Sequence, residues 1–172
     1  MSDDPTVGAA PDPEAPSWTV DKARVLALRI LGQRELTRAE LSARLARRGV
    51  DEETAGTVLD QLERARLVDD RLYAQLWVDS RHHGRGLPRT TLARELRRKG
   101  VDEEHVQGAL DGIDAESETA AARALLARRL PAVQGVPREV AFRRLTAFLA
   151  RKGFAPGQCA VLVSEALGPY AG

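Results

Sequence analysis

A seven-residue segment occurs twice in this chain of 172 residues, 51 residues apart. It reads Arg-Arg-Gly-Val-Asp-Glu-Glu at 47–53 and Arg-Lys-Gly-Val-Asp-Glu-Glu at 98–104, and its first half returns as Arg-Lys-Gly-Phe at 151–154. A fixed period of about 50 residues predicts an array of similar modules rather than one globule around one site. We therefore expect function to reside on extended surfaces more than in a cleft.

The apolar residues around these segments repeat with the same spacing. The equivalent positions are Leu41, Leu92 and Leu145, and then Leu45, Leu96 and Leu149. Aromatic residues make up only 4% of the chain, and the abundance of Leu, Ala and Arg favours helices over strands. The sequence predicts an all-α fold made of three tandem three-helix repeats.

Capping signals divide the first repeat into three helices. Asp21 and Thr37 are predicted to cap the first two helices, and Asp51 is predicted to cap the third. One face of that third helix carries the spacing of a buried stripe, namely Ala55, Val58, Leu59 and Leu62.

The later repeats keep this plan with one change in length. The second repeat begins at Asp69 or Asp70, and Pro88 opens its middle helix, where a missing backbone N–H costs nothing. Val106, Ala109, Leu110 and Ile113 restate the stripe of the third helix. The interval from 137 to 153 exceeds its two counterparts by four residues, so the third middle helix should be about one turn longer.

These signals place the repeats at 21–66, 67–115 and 116–167. Residues 1–20 contain four prolines and four carboxylates but no Lys or Arg, which predicts a disordered acidic tail. The functional alternative is an acidic arm that shields a basic surface. Residues 168–172 are expected to fray.

The repeated segment has a local explanation as a corner between two helices. Gly49 and Gly100 are predicted to be left-handed residues after the middle helix, and Asp51 and Asp102 to cap the next helix. Cations before the glycine complement the negative end of the middle helix. One cation is enough for that purpose, so the second cation of each pair leaves a binding role open.

Basic side chains at equivalent places could form a row that suits a polyanion or an acidic groove. The candidates are Arg47, Arg48, Arg81, Arg85, Arg89, Arg94, Arg97, Arg98, Lys99, Arg151 and Lys152. An ordinary solvated face is the alternative. The chain has a net charge of +1, but without its tail 26 basic residues face 21 acidic ones. That mild excess is less than proteins relying on phosphate neutralisation alone usually carry.

No catalytic or metal-binding constellation is evident in the sequence. His82 and His83 are expected in a solvated loop ending in a Gly-Arg-Gly hinge or slack connection. Tyr73 and Trp77 have helical spacing and are expected in the core, with base stacking as the alternative. The single cysteine, Cys159, falls on a core position. We expect no enzymatic activity, no metal and no cofactor.

One cysteine cannot form an intramolecular disulfide, which indicates a reducing compartment. No apolar run approaches the roughly 18 residues that cross a bilayer, and no signal peptide is recognisable. We expect a cytoplasmic protein without a membrane role.

Longer segments of the chain resemble the RecX family of recombination regulators. Residues 67–81 read Leu-Val-Asp-Asp-Arg-Leu-Tyr-Ala-Gln-Leu-Trp-Val-Asp-Ser-Arg, followed by Gly-Leu-Pro-Arg at 86–89 and Leu-Ala-Arg-Glu-Leu-Arg-Arg-Lys-Gly-Val at 92–101. Thr-Arg-Ala-Glu-Leu at 37–41 looks like that family's first repeat, and Phe-Leu-Ala-Arg-Lys-Gly-Phe at 148–154 like its third. The resemblance runs from about residue 23 to residue 167.

The resemblance implies an elongated, curved array of three-helix repeats. It also implies a non-enzymatic protein that binds RecA, lodges in the groove of the RecA filament on single-stranded DNA, and mainly inhibits ATPase, recombinase and coprotease activity in DNA repair and the SOS response. We further expect a monomer with at most weak direct binding to DNA. The alternative is a stand-alone helix-turn-helix DNA-binding regulator, although no helix rich in Asn, Gln and Arg is evident for reading bases.

Overall fold

The computed structural model describes residues 17–169, which contain nine α-helices and no strand. The helices are α1 Val20–Leu31, α2 Arg38–Ala46, α3 Glu52–Arg64, α4 Asp70–Arg85, α5 Arg89–Arg98, α6 Glu103–Leu110, α7 Ala115–Arg129, α8 Arg138–Lys152 and α9 Pro156–Ala166, with a short 3-10 helix at Leu130–Val133. Successive triplets form repeats 1, 2 and 3. The predicted all-α fold of tandem three-helix repeats is confirmed.

Each repeat encloses its own hydrophobic core. The leucines that the period pairs are all fully buried, Leu41 and Leu45 with Leu92 and Leu96 and with Leu145 and Leu149. Extensive contact between helices occurs only within a repeat. The relative placement of neighbouring repeats therefore depends on a small number of contacts at their boundaries.

Helix capping in repeat 1 follows the prediction in two of three cases. Thr37 and Glu40 form a capping box at the start of α2, and Asp51 accepts from the Thr54 backbone N–H at 2.8 Å at the start of α3. The predicted Asp21 cap is wrong, because Thr19 caps α1 and Asp21 lies in the first turn.

The stripes predicted on the third helices are confirmed, with one residue only partly buried. Every predicted residue on α3 is buried, as are Val106, Leu110 and Ile113 of repeat 2, while Ala109 is half-buried. At the start of α6, Asp102 occupies the N-cap position but makes no capping hydrogen bond through its side chain. The corner of repeat 2 thus has the predicted form without the predicted side-chain bond.

The end of α4 differs from the sequence-based expectation. The helix continues through His82 and His83 to Arg85, so the predicted solvated loop is wrong for His82. That ring is 6% exposed, and its Nδ1 lies 3.0 Å from the backbone oxygen of Leu87. Gly86 then ends the helix with a φ of 62°, so this connection is a defined cap rather than a hinge.

Repeat 3 confirms two expectations. Its middle helix α8 has 15 residues, against 9 in α2 and 10 in α5. Cys159 is fully buried in the core.

Tyr73 and Trp77 in repeat 2 are only half-buried, and Trp77 packs against the core from its edge.

Some expectations fall partly outside the described range. Most of the predicted tail and the last three residues of the predicted frayed end are not described. None of the helices between residues 17 and 169 has the length and apolar character of a membrane span. No group of His, Cys, Asp or Glu in that range is arranged to hold a metal ion.

A left-handed glycine follows each middle helix, as predicted for the first two. The φ angles are 81° at Gly49, 76° at Gly100 and 103° at Gly153. Gly100 and Gly153 also lie directly against the preceding repeat, since an added Cβ would overlap Ala39 Cβ in one case and Thr91 Oγ1 in the other. Two requirements therefore select glycine at these corners, a backbone conformation and a close approach.

Replacing Gly100 with alanine is expected to lower the free energy of unfolding by about 2–4 kcal/mol, because left-handed strain adds to overlap with repeat 1. Gly135→Ala is the matched control, since Gly135 has a φ of 79° and nothing within 4 Å of an added Cβ. It should cost only about 1–2 kcal/mol. Urea unfolding followed by circular dichroism measures both, and equal losses would contradict a tight contact at Gly100.

Candidate partner-binding surface

The first turn of one middle helix receives the end of the next middle helix. Thr37 Oγ1 donates to the backbone oxygen of Lys99 at 2.6 Å, joining repeats 1 and 2. Thr91 Oγ1 donates to the backbone oxygen of Lys152 at 2.9 Å, joining repeats 2 and 3. Carbonyls in the last turn of a helix lack partners within the helix, so these hydroxyls satisfy them. We call these two contacts, with the adjacent left-handed glycines, the repeat joints.

The Lys99 side chain forms an ion pair across the boundary at the first repeat joint. Its Nζ donates to Glu40 Oε1 of repeat 1 at 2.9 Å, and the two side chains are 19% and 24% exposed. The same ammonium lies 4.4 Å from the centre of the Trp77 ring, a cation–π distance. Trp77 is held in turn by its indole N–H, which donates to Glu95 Oε2 at 2.9 Å.

The pair between Glu40 and Lys99 stays charged despite its partial burial. Desolvation alone would raise the pKa of Glu40, but hydrogen bonds from Lys99 and the Thr37 backbone outweigh it, and the pKa is lowered. Desolvation alone would lower the pKa of Lys99, but its contacts with Glu40 and Tyr73 raise it above the ordinary value. The joint therefore contains an ion pair at neutral pH.

Three other candidate cations of repeat 2 also have partners within the chain. Arg89 donates to the backbone oxygen of Leu110 at the end of α6, and Arg97 binds Glu103 at 2.6 Å. The guanidinium of Arg81 lies 4.0 Å from the centre of the Trp77 ring. Several cations of repeat 2 therefore interact with partners inside the same repeat.

Other candidates are exposed and, among the residues that the structure describes, make no ion pair. They are Arg47, Arg48, Arg85, Arg94, Arg98 and Arg151. Lys152 is half-buried, with its Nζ 6.0 Å from the centre of the Phe148 ring.

The two cations of each repeated pair therefore differ. The first is exposed in all three repeats, at Arg47, Arg98 and Arg151. The second is half-buried where a repeat precedes it, at Lys99 and Lys152. In repeat 1, where no other described repeat packs against the corner, Arg48 is exposed.

Two clefts beside the middle helices of repeats 1 and 3 collect arginines, several of which the sequence did not single out; among these arginines, only Arg47 and Arg151 occupy equivalent positions of the repeat. The repeat-1 cleft lies between α1 and α2, has a volume of about 280 Å³ and is lined by Arg29, Arg44, Arg47 and Arg48 with Leu26, Ile30 and Gln33. The repeat-3 cleft lies between the end of α7 and α8, has a volume of about 400 Å³ and includes Arg129, Arg143, Arg144 and Arg151. No carboxylate lines either cleft. Guanidinium groups in this setting suit phosphates or carboxylates.

In repeat 2, the place equivalent to the repeat-1 cleft holds a tryptophan ring and a carboxylate of the same repeat. Trp77 and Glu95 lie 51 residues after Leu26 and Arg44 of the repeat-1 cleft. The Trp77 ring lies within cation–π distance of both Arg81 and Lys99, and Glu95 supplies a carboxylate that repeat 1 lacks at this position. Clefts lined by several arginines and no carboxylate are therefore found in repeats 1 and 3, although Arg85, Arg94 and Arg98 of repeat 2 are also exposed.

Part of the repeat-1 cleft has a sequence signal. Arg44, Arg47 and Arg48 have the i, i+3, i+4 spacing of one helix face. Arg29 and Arg129 have no comparable signal, because they come from a different helix and join the clefts only through tertiary packing.

Two family models match the chain. The model described as "RecX, first three-helix domain" matches residues 23–62, and "RecX, second three-helix domain" matches 69–110. The protein named "Regulatory protein RecX" in Thermobifida fusca (strain YX) is 46% identical over 165 residues, which cover 96% of this chain and 87% of that protein. The chain belongs to the RecX family.

Further relatives agree with this membership. Proteins named "Regulatory protein RecX" are 44% identical in Streptomyces coelicolor, covering 90% of this chain and 82% of that protein, and 41% identical in Mycobacterium tuberculosis, covering 89% and 91%. The crystal structure of RecX from Lactobacillus salivarius has a TM-score of 0.75 at 18% identity, covering 86% of this chain and 96% of that one. That RecX structure shares the fold.

Lys99→Met and Glu40→Gln are each expected to lower the free energy of unfolding by about 1–2 kcal/mol, because each leaves a partly buried charge without its partner. The double variant should lose about 1 kcal/mol less than the sum of the two. Arg97→Met is the control, since its pair with Glu103 is half exposed and should contribute little to stability. Additive losses in urea unfolding would contradict the ion pair in the joint.

Stability should also depend on pH through Glu40. Because its pKa is lowered in the folded chain, its contribution is present above the unfolded value of about 4.3. It is lost as the pH falls through the lowered folded value. The difference in melting temperature between the wild-type chain and Glu40→Gln should therefore shrink on acidification, and a difference that grows would contradict this assignment.

Proposed function

We propose that this RecX-family chain is a non-enzymatic cytoplasmic regulator that binds RecA and its filament on single-stranded DNA, and mainly inhibits the ATPase, recombinase and coprotease activities of RecA. Family membership supports the regulatory role, since the relatives are named as regulatory proteins. The observation that carries the proposed mode of binding is the pair of arginine clefts in the outer repeats.

Two cationic sites separated by a repeat suit a partner that itself repeats. A filament presents identical anionic surfaces at regular intervals, so the clefts of repeats 1 and 3 can engage different subunits at once. Each contact can be weak while the whole is tight, because the second contact forms within the complex. A chain that bridges subunits favours one relative arrangement of them over others, which is a route to inhibition.

The charges of the clefts would act in association as well as in the bound state. Exposed arginines steer an anionic partner toward the surface, and this attraction falls as salt screens it. We therefore place the contacts at Arg47, Arg48 and Arg151, with the other cleft arginines around them. In this mechanism, Lys99 keeps repeats 1 and 2 together and does not contact RecA.

The double variant Arg47→Ala/Arg48→Ala is expected to weaken binding to the RecA filament about tenfold, equivalent to roughly 1.4 kcal/mol, with little change in stability. Co-sedimentation with filaments measures binding, and single-stranded-DNA-dependent ATP hydrolysis at substoichiometric amounts of the chain measures inhibition. Arg64→Ala/Arg71→Ala removes the same charge from exposed positions outside both clefts and should change binding less than threefold, within about 0.6 kcal/mol. Equal effects of the two variants would leave the cleft without a specific role.

The wild-type chain tests the wider proposal. If it neither co-sediments with the filament nor alters ATP turnover, the proposal is wrong. Tight, sequence-selective binding of duplex DNA in a retardation assay without RecA would instead support a stand-alone DNA-binding regulator. The amide of Gln33 is the only base-reading side chain of the Asn or Gln type that lines either cleft, which does not favour that alternative.

A further inference from the structure

Trp18 covers the exposed end of the array. It packs against the core of repeat 1, and an added Cβ at Gly49 would lie 3.7 Å from its Nε1. Gly49 is the equivalent of Gly100 and Gly153, which lie against a preceding repeat. Trp18 therefore occupies, at the first corner, the side that a preceding repeat covers at the other two. The segment that precedes Trp18 is therefore attached beside the corner at Gly49, the residue that follows Arg48.

That corner forms one edge of the repeat-1 cleft. Arg47 and Arg48 are exposed and lack a carboxylate partner among the described residues, and Arg29 and Arg44 line the same cleft. The segment 1–16 carries the opposite charge, with four carboxylates and no Lys or Arg. Its acidic residues are Asp3, Asp4, Asp12 and Glu14.

The length of the segment allows the two to meet. An extended chain spans at most about 3.6 Å per residue, so Glu14 can reach about 14 Å from Trp18 and Asp12 about 22 Å. Asp3 and Asp4 have a reach of about 50 Å. The cleft begins at the residue that precedes Gly49, so all four carboxylates can enter it. Covalent attachment gives the encounter an effective concentration in the mM range.

We propose that the acidic segment 1–16 binds the repeat-1 cleft of its own molecule, and competes there with the anionic partner. The repeat-3 cleft stays open, so the chain first engages its partner through repeat 3 and then exchanges its own carboxylates for those of the partner at repeat 1. Docking of the segment is independent of the proposed function, whereas the competition rests on it.

Paramagnetic relaxation tests the docking without any partner. A nitroxide on Thr6→Cys of the full chain, with buried Cys159 left unlabelled, should weaken the backbone amide signals of Arg44, Arg47 and Arg48 by more than half at low salt. The signals of Arg143, Arg144 and Arg151 in the repeat-3 cleft are the internal control and should keep their intensity. Salt at 0.5 M should restore the repeat-1 signals, because exposed charges are then screened within about 4 Å.

A neutral segment of the same length supplies the matched variant. Asp3→Asn, Asp4→Asn, Asp12→Asn and Glu14→Gln together should abolish the broadening at the repeat-1 cleft. Broadening that survives neutralisation, or that is equal at both clefts, overturns the docking proposal.

Competition is then measured on the filament. The neutral-segment variant should bind about three- to tenfold more tightly than the wild-type chain at low salt, and the gain should vanish when Arg47 and Arg48 are also replaced by Ala. An unchanged affinity overturns the competition even if docking is observed. No filament binding by any variant counts against the proposed function, while the relaxation result still decides the docking.

Discussion

The hydrogen bond from the Thr37 hydroxyl to the Lys99 backbone oxygen, with left-handed Gly100 beside it, determines how repeats 1 and 2 meet. Repeats of about 50 residues bury too little surface to be independently secure, so each depends on its neighbours. Since each repeat has a separate core, that support must pass through the joints and the few contacts beside them, such as the bond from the Arg38 backbone N–H to Asp70 Oδ1. A similar bond joins Thr91 to the Lys152 carbonyl beside Gly153, although Thr91 lies three residues after the position equivalent to Thr37, so both boundaries have the same kind of joint with different donor positions.

The joint also explains how charge is distributed along the array. At both inner boundaries, the residue that supplies the accepting carbonyl is the second cation of the repeated pair, and its side chain is half-buried. In repeat 1 the equivalent Arg48 has no other described repeat beside it and remains exposed. Packing thus assigns one cation of the pair to structure and leaves the other on the surface. Together with the carboxylate that Glu95 places beside Trp77, this leaves the carboxylate-free arginine clefts in repeats 1 and 3.

The sequence predicted the features that depend on local periodicity. Leu41, Leu92 and Leu145 occupy equivalent core positions because the helix period brings them to the same face, and Thr37 and Asp51 cap helices through bonds that span three residues. The extra turn of α8 followed directly from spacing.

Features that depend on contacts between distant residues were not predictable in this way. Glu40 and Lys99 are 59 residues apart, and no sequence pattern around either residue indicates that the two form a pair. Arg29 joins the repeat-1 cleft only through the packing of α1 on α2. The glycines next to His82 indicated a loop, so the sequence predicted a solvated position. In the structure, His82 lies within α4, where its ring is buried and contacts the backbone oxygen of Leu87.

The most direct test of this division of roles compares one cation of each kind, Arg47 in the repeat-1 cleft and Lys99 in the first repeat joint. Filament affinity should be measured for Arg47→Ala and Lys99→Met at a temperature where both are folded, together with the melting temperature of each. Arg47→Ala is expected to weaken binding without lowering the melting temperature, while Lys99→Met is expected to lower the melting temperature and leave affinity unchanged. Loss of binding by Lys99→Met at unchanged stability would contradict this division of roles.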